Sequence, residues 1–283
     1  MKFLITGKNG QLAASFMRYF DAERIEYVAP DERGLDITDF QAVSSAMAAV
    51  KPDIVINCAA YNLVDKAEET PQMAFAVNAG GAGNLARAAL QQKAFLVHFG
   101  SDYVFDGAKE NGLYTEEDPV NPLNEYGKSK FDGEQLVLDE LADRSLVLRL
   151  SWVFGPGKQN FIFKLRQWAT TQPFLKIACD EFSVPTSTAT VVEVTLKALE
   201  ERLTGRYHLT NSGYCSRYEW AKLILHSTGD RKFIRPVSMD SFQLPANRPK
   251  FSAMSNDKIV RILNITVPAW EDAVNKYIHS SNL

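Results

Sequence analysis

Tyr126-Gly127-Lys128-Ser129-Lys130 sets a phenol and an ammonium four residues apart. On a helix that spacing brings both to one face. A lysine charge beside a phenol favours the phenolate, lowering a reference pKa of about 10. Such a tyrosine can exchange a proton with a substrate oxygen while a hydride moves to or from a nicotinamide. The motif is short, and Tyr218-Glu219-Trp220-Ala221-Lys222 repeats it. With 10 tyrosines in the chain, about one chance match is expected at average lysine usage. Position separates the two. Tyr126 follows the strand-like run Phe95-Leu96-Val97-His98-Phe99, beyond which Ser101 offers a hydroxyl. Nothing comparable precedes Tyr218, which with Lys222 reads as part of an amphipathic helix. Ser101, Tyr126 and Lys130 are therefore the candidate catalytic residues.

A second constellation opens the chain. Thr6-Gly7-Lys8-Asn9-Gly10-Gln11-Leu12-Ala13 follows an apolar run and precedes a helical pattern, with spacing G-x-x-G-x-x-A. The first glycine permits a tight turn. The second lets a pyrophosphate approach the free N–H groups of a helix N-terminus, and the small Ala13 lets helix pack on strand. Gly7, Asn9, Gly10, Gln11 and Leu12 are candidate dinucleotide contacts. An acidic residue about 20 positions on usually meets the adenosine ribose, and Asp31 stands at that distance. A free carboxylate there favours NADH, whereas Lys8 and Arg33 lie near enough in sequence to accept the 2′-phosphate of NADPH. Both cofactors remain open.

These residues need a scaffold. Strands are expected at 2–6, 25–29, 53–57, 95–99, 145–151 and 206–210. Helices are expected at 11–20, 71–91, 124–141, 160–172, 188–203 and 216–228. Thr38 with Gln41 reads as a capping box opening a further helix to Val50. Alternating strands and helices mean βαβ units and an α/β fold with a doubly wound parallel sheet. Residues 1–150 read as the dinucleotide-binding domain, with 183–205 returning to it. Residues 151–283, broken by Gly155-Pro156-Gly157 and four later prolines, read mainly as a smaller mixed lobe over the C-terminal sheet edge.

Composition narrows the classes. Hydrophobic residues are 46% and charged residues 23%, with net charge −3. That is globular composition, and a general nucleic-acid binder is not expected. Three cysteines without a C-x-x-C pair argue against a disulfide framework or a structural zinc site. No run approaches the ~18 apolar residues of a membrane span, and no signal peptide is evident, so a cytoplasmic setting is expected. Asp65 and Glu68 read as a helix-start acid pair, His98 as a core residue and Cys58 as a small buried hydrophobe.

The strings Ser101-Asp102-Tyr103-Val104-Phe105-Asp106-Gly107 and Pro122-Leu123-Asn124-Glu125-Tyr126-Gly127-Lys128-Ser129-Lys130 are the most specific in the chain. With the glycine turn, Asn57-Cys58-Ala59-Ala60-Tyr61, Val77-Asn78-Ala79, Ser151-Trp152-Val153-Phe154-Gly155 and Arg248-Pro249, they resemble the extended short-chain dehydrogenase/reductase family. Within it, the chain is similar to the dTDP-4-dehydrorhamnose reductases. The resemblance implies a Rossmann fold and reduction of a 4-keto-6-deoxy sugar nucleotide by NADPH or NADH. It implies that Tyr126 donates the proton, that Lys130 supports it, and that Ser101 hydrogen-bonds the C4 oxygen. It puts Asp36 and Ile37 at the adenine, Ala59, Ala60 and Tyr61 at the ribose, and Asn78 near the cofactor. It puts Asp102, Val104, Phe105, Trp152 and Arg248 at the substrate, with Trp152 against the sugar and Arg248 on the diphosphate. Some relatives dimerise through glutamate-held Mg²⁺. Ser15 replaces one such acid and His279 to Leu283 supply none, so no metal site is expected, and a monomer or homodimer remains open. Two other readings stay in view. A sugar-nucleotide dehydratase or epimerase is one, although Asp102 is followed by Tyr103 where a dehydratase carries Glu. A non-catalytic dinucleotide-binding regulatory subunit is the other.

Overall fold

The computed structural model describes residues 1–280; of the tail read above for acids, 281–283 lie outside the described residues. The elements in order are β1 Phe3–Thr6, α1 Gln11–Glu23, β2 Tyr27–Val28, α2 Phe40–Val50, β3 Ile54–Asn57, α3 Val64–Glu69, α4 Pro71–Phe75, a π-helical segment Ala76–Gly81, α5 Ala82–Gln92 and β4 Phe95–Ser101. A 3₁₀ turn Asp102–Val104 leads on to α6 Glu125–Leu141, β5 Ser145–Leu150, β6 Val153–Phe154, α7 Phe161–Thr171, β7 Leu175–Ala178, β8 Phe182–Ser183 and β9 Thr186–Ser187. Then come α8 Thr188–Glu200, β10 Gly205–His208, β11 Cys215–Ser216, α9 Arg217–Thr228, β12 Ile234–Val237, α10 Asp257–Leu263 and α11 Trp270–Ser280.

Six strands form one parallel sheet in the order β10-β5-β4-β3-β1-β2. Each parallel step needs a crossover, and the helices supply it. Side chains alternate across the sheet, so the two faces carry two cores. Phe3, Ile5, Ile56, Val97 and Phe99 pack with Phe16 and Phe20 of α1, Val191 of α8 and Ile259 of α10. Leu4, Val55, Leu96 and Val147 pack with Met47 of α2, Leu85 of α5 and Val137 of α6. Burying one such large apolar side chain stabilises the fold by about 1.5–3 kcal/mol. A third core, with Phe154, Leu165, Trp220 and Val274, joins α7, α9 and α11. The chain order turns back between β1 and β3, and the carboxyl ends there make the crevice where open α/β sheets bind ligands.

Several sequence expectations change in detail. Thr38 does not cap α2. Its hydroxyl donates to Asp36 Oδ1 (2.8 Å), and Asp39 instead accepts from Gln41 N and Ala42 N. The strand at 25–29 shrinks to the two residues of β2, an edge position with one neighbour. The helix at 71–91 is interrupted by the π-helical segment, which keeps Asn78 O against α6 where Gly133 has no side chain. The strand ending at Phe99 continues to Ser101. The strand after residue 205 enters the main sheet beside β5.

Candidate active site

β4 ends at Ser101, and α6 begins with Asn124 accepting from Gly127 N (2.8 Å). The strand end and the helix's first turns meet in a cavity of about 290 Å³. Gly10, Gln11, Leu12, Cys58, Ala59, Ala60, Ser101, Asp102, Tyr126, Lys130 and Trp152 all line it. Residues from the two sequence constellations therefore line one cavity. Glycines allow the close approach. A Cβ on Gly127 would fall within van der Waals radii of the Tyr103 carbonyl, and Gly7, at φ +68°, has the backbone of Cys58 and Ala59 where a Cβ would sit.

Tyr126 is half-buried, edge-on to Tyr103 at 5.8 Å, with its hydroxyl donating to Asn62 Oδ1 at 3.4 Å. Burial pushes its pKa up to about 12, partly offset by a hydrogen bond with Ser101 and reinforced by the Asp102 charge. The expected lowering by Lys130 is not found. The Lys130 ammonium donates to Phe99 O at 2.5 Å. Burial lowers its own pKa to about 8, against the upward pull of Glu134 and Cys58. Glu134 is fully buried and accepts from Arg149 Nε (2.9 Å), Arg149 Nη2 (2.7 Å) and Arg206 Nη1 (2.6 Å). Its sequence spacing from Lys130 puts it one turn further along the same helix face.

Asp102 lies behind Ser101. Its carboxylate accepts from Ser101 (3.3 Å), Ser183 (2.8 Å) and Ser252 (2.6 Å). Burial raises its pKa to about 6 in spite of the two later serines. Those serines lie far along the chain and carry no local signal, so the sequence does not reveal them. They fasten the end of the sheet to the C-terminal lobe.

The other predicted residues divide. Tyr61 adjoins the cavity wall, and Asn78 fixes it: Asn78 Oδ1 accepts from Tyr61 N (2.8 Å), while Nδ2 donates to Tyr61 O (3.1 Å) and Ser129 Oγ (3.0 Å). Asn9, Asp31 and Asp36 are exposed and outside the cavity lining, and Ile37 is buried against Gly81. Oδ1 of Asp31 accepts from Arg33 N (3.1 Å) and Gly34 N (2.9 Å), which holds the carboxylate against its own loop. Val104 and Phe105 are not brought to the cavity. The 3₁₀ turn after Ser101 drives both into a core with Tyr114 and Met254, where Phe105 stacks on Tyr114 at 4.1 Å. The repeat motif behaves as an ordinary helix face, with the Lys222 ammonium 5.9 Å above the Tyr218 ring.

Trp152, Val153 and Gln159 also line a second cavity of about 390 Å³. Lys164, Lys176, Arg217 and Arg248 bring positive charge to it, against the single acid Glu181. Trp152 has φ +37°, a conformation that costs a non-glycine residue about 1–3 kcal/mol. It is retained where the indole stacks on Trp220 (5.6 Å, 10°) and the Arg217 guanidinium lies 3.5 Å from the ring centre. Arg217 is itself paired with Glu181 (3.1 Å).

The family model described as "RmlD substrate binding domain" matches residues 1–283. A dTDP-4-dehydrorhamnose reductase of Sinorhizobium fredii is 34% identical, over 98% of this chain and 97% of its own. The crystal structure of a dTDP-4-dehydrorhamnose reductase from Clostridium acetobutylicum matches with TM-score 0.95 and 36% identity over 100% of both chains. A dTDP-4-dehydrorhamnose reductase from Bacillus anthracis, solved in complex with NADP, matches with TM-score 0.94 and 32% identity over 99% of each chain.

Proposed function

The chain belongs to the RmlD substrate binding domain family, and on that premise we propose that it reduces dTDP-4-dehydro-L-rhamnose to dTDP-L-rhamnose with NADPH or NADH. It is a nucleotide-sugar oxidoreductase. The observation that carries the reading is the meeting of Ser101, Tyr126 and Lys130 in one cavity with the start of α1.

The glycine turn fits a dinucleotide. Gly10 precedes the 13-residue α1 with no side-chain cap on its N–H groups, and such a terminus attracts a pyrophosphate. Gly7 lets the turn pack directly on the backbone of Cys58 and Ala59, which any side chain would displace. In our reading Gly7, Gly10, Gln11 and Leu12 hold the diphosphate, and Ala59, Ala60 and Tyr61, braced by Asn78, hold the nicotinamide side. The bound reduced cofactor supplies a hydride to the carbonyl carbon. Tyr126, whose high pKa keeps it protonated at neutral pH, gives its proton to the C4 oxygen as the C=O double bond becomes C–OH. Ser101 hydrogen-bonds that oxygen. Lys130 supplies positive charge as the phenolate forms, and solvent restores the tyrosine proton. Trp152 lies along the sugar, and Arg248 holds the substrate diphosphate in the cationic second cavity.

The proposal takes residues 1–150 with 183–205 as the dinucleotide-binding part and the later chain mainly as substrate cover. It includes a cytoplasmic setting and action as a monomer or homodimer. Among the described residues, no helix is long and apolar enough to cross a membrane. The test is to mix the protein with dTDP-4-dehydro-L-rhamnose and each reduced cofactor. One cofactor oxidised per dTDP-L-rhamnose formed supports the reading. Cofactor binding without turnover favours a regulatory subunit, and overturns it.

A further inference from the structure

Asp65, which the sequence presents as a helix-start acid, has a different task. It lies on α3, which packs on α4 and α6, yet both of its oxygens face Arg248 in the C-terminal lobe. Arg248 Nη1 donates to Oδ1 (2.9 Å) and Nη2 to Oδ2 (2.7 Å). A second Nη1 hydrogen goes to Ala246 O (3.1 Å), and Ala246 N returns a bond to Asp65 Oδ1 (3.3 Å). The same loop is tied to the start of the catalytic helix, where Asn124 Nδ2 donates to Asn247 O (2.7 Å). Glu68, one turn along α3, accepts from Glu125 N (2.7 Å). The short helix α3 thus grips both the N-terminus of α6 and the loop that carries Arg248.

The geometry of a guanidinium gives this a consequence. It has five N–H donors in a fixed plane, with two edges that can each make a paired contact. Asp65 takes the end edge, Nη1 with Nη2. Ala246 O takes the remaining Nη1 hydrogen. The side edge, formed by Nε and the second Nη2 hydrogen, remains for a ligand, in a residue that lines the cationic cavity. We propose that Asp65 is a positioning residue, which fixes Arg248 so that its Nε–Nη2 edge forms a two-pronged contact with the diphosphate of the sugar nucleotide. This rests on the reading of Arg248 given above. The Arg248 hydrogen bond holds the Asp65 carboxyl below its ordinary range, with burial opposing, so the pair is ionised at neutral pH.

Charge alone predicts the opposite sign. A carboxylate beside a diphosphate repels it, so Asp65→Asn would tighten binding if orientation did not matter. Positioning predicts loss. The experiment measures KM for dTDP-4-dehydro-L-rhamnose, kcat, and the Kd values of dTDP and NADPH for D65N, R248A and the double variant. The Kd values report binding even if turnover is slow. D65N is expected to weaken dTDP and raise the sugar-nucleotide KM by roughly 5–20-fold, less than the roughly 10–150-fold that loss of a whole charge-assisted contact gives. NADPH Kd should not move, kcat should change far less than KM, and the double variant should be no worse than R248A. Unchanged or tighter dTDP binding in D65N, with R248A still weakened, overturns the positioning role and leaves the clamp. Unchanged dTDP binding in R248A overturns the clamp itself.

Discussion

Replacing Glu134 by Gln should move the alkaline limit of activity to lower pH. Lys130 must be an ammonium to support the developing phenolate, and it is charged only below its pKa. Burial has already brought that pKa to about 8, with Glu134 the first opposing influence. Activity should therefore fall as pH rises through about 8. Across one helical turn, about 6 Å, a full carboxylate at an effective dielectric of 20 is worth about 3 kcal/mol to the ammonium, or some two pH units. Glu134 is shared with Arg149 and Arg206, so roughly half of that is the better expectation. E134Q should bring the fall in kcat/KM down by about one pH unit. Arg206 competes for the same carboxylate and is partly exposed, so Arg206→Met should move the limit upward. The assay is kcat/KM for the sugar nucleotide against pH. Because E134Q leaves Arg149 buried without its partner, at a cost of about 3–5 kcal/mol, the Arg206 variant keeps the test available. Limits that stay fixed, or move in the same direction in both variants, would refute the reasoning.

Other outcomes follow from the same geometry. Tyr126→Phe should cost ~10²–10⁴-fold in turnover with little change in cofactor binding, while Tyr218→Phe stays within a few-fold of the parent; steady-state rates of the two decide it. Lys130→Met should lose turnover and also weaken NADPH binding in a titration. Gly133→Ala puts a Cβ into the Asn78 carbonyl, so it should lower the thermal midpoint and disturb the Asn78–Tyr61 clamp, read as a raised NADPH Kd. Stability should rise with pH above about 8. Lys130 is depressed in the folded state, so the unfolded chain binds more protons between about 8 and its ordinary value, and burial costs less once the lysine is neutral. Denaturant midpoints across that range check the sign.

The sheet was legible because its strands are short apolar runs buried on both faces, and the helices between them carry their own spacing. The glycine turn was legible because its context, strand then helix, is local. What escaped was set by partners far away in sequence. Asp65 looked like a dipole acid until Arg248, 183 residues on, was seen against it. The anchoring of Asp102 was hidden because Ser183 and Ser252 are not its sequence neighbours. Val104 and Phe105, placed at the substrate by the resemblance, are turned inward by one 3₁₀ turn into a core with Tyr114 and Met254, which the string itself does not reveal. Thr38 and Asp39 are both able caps, and the choice fell to Asp39 once Asp36 engaged Thr38. Tyr126 moves upward and not downward because burial dominates there, and residue spacing says nothing of burial.

The central claim is that the chain transfers hydride to sugar C4 while Tyr126 supplies the proton. It is tested most directly by isotope transfer, with NADPH deuterated at both C4 positions of the dihydronicotinamide and dTDP-4-dehydro-L-rhamnose as acceptor. One deuterium should appear at C4 of the product dTDP-L-rhamnose, and Tyr126→Phe should suppress its formation although the variant still binds NADPH. Deuterium at another carbon, unlabelled product, or full transfer by Tyr126→Phe would contradict the account.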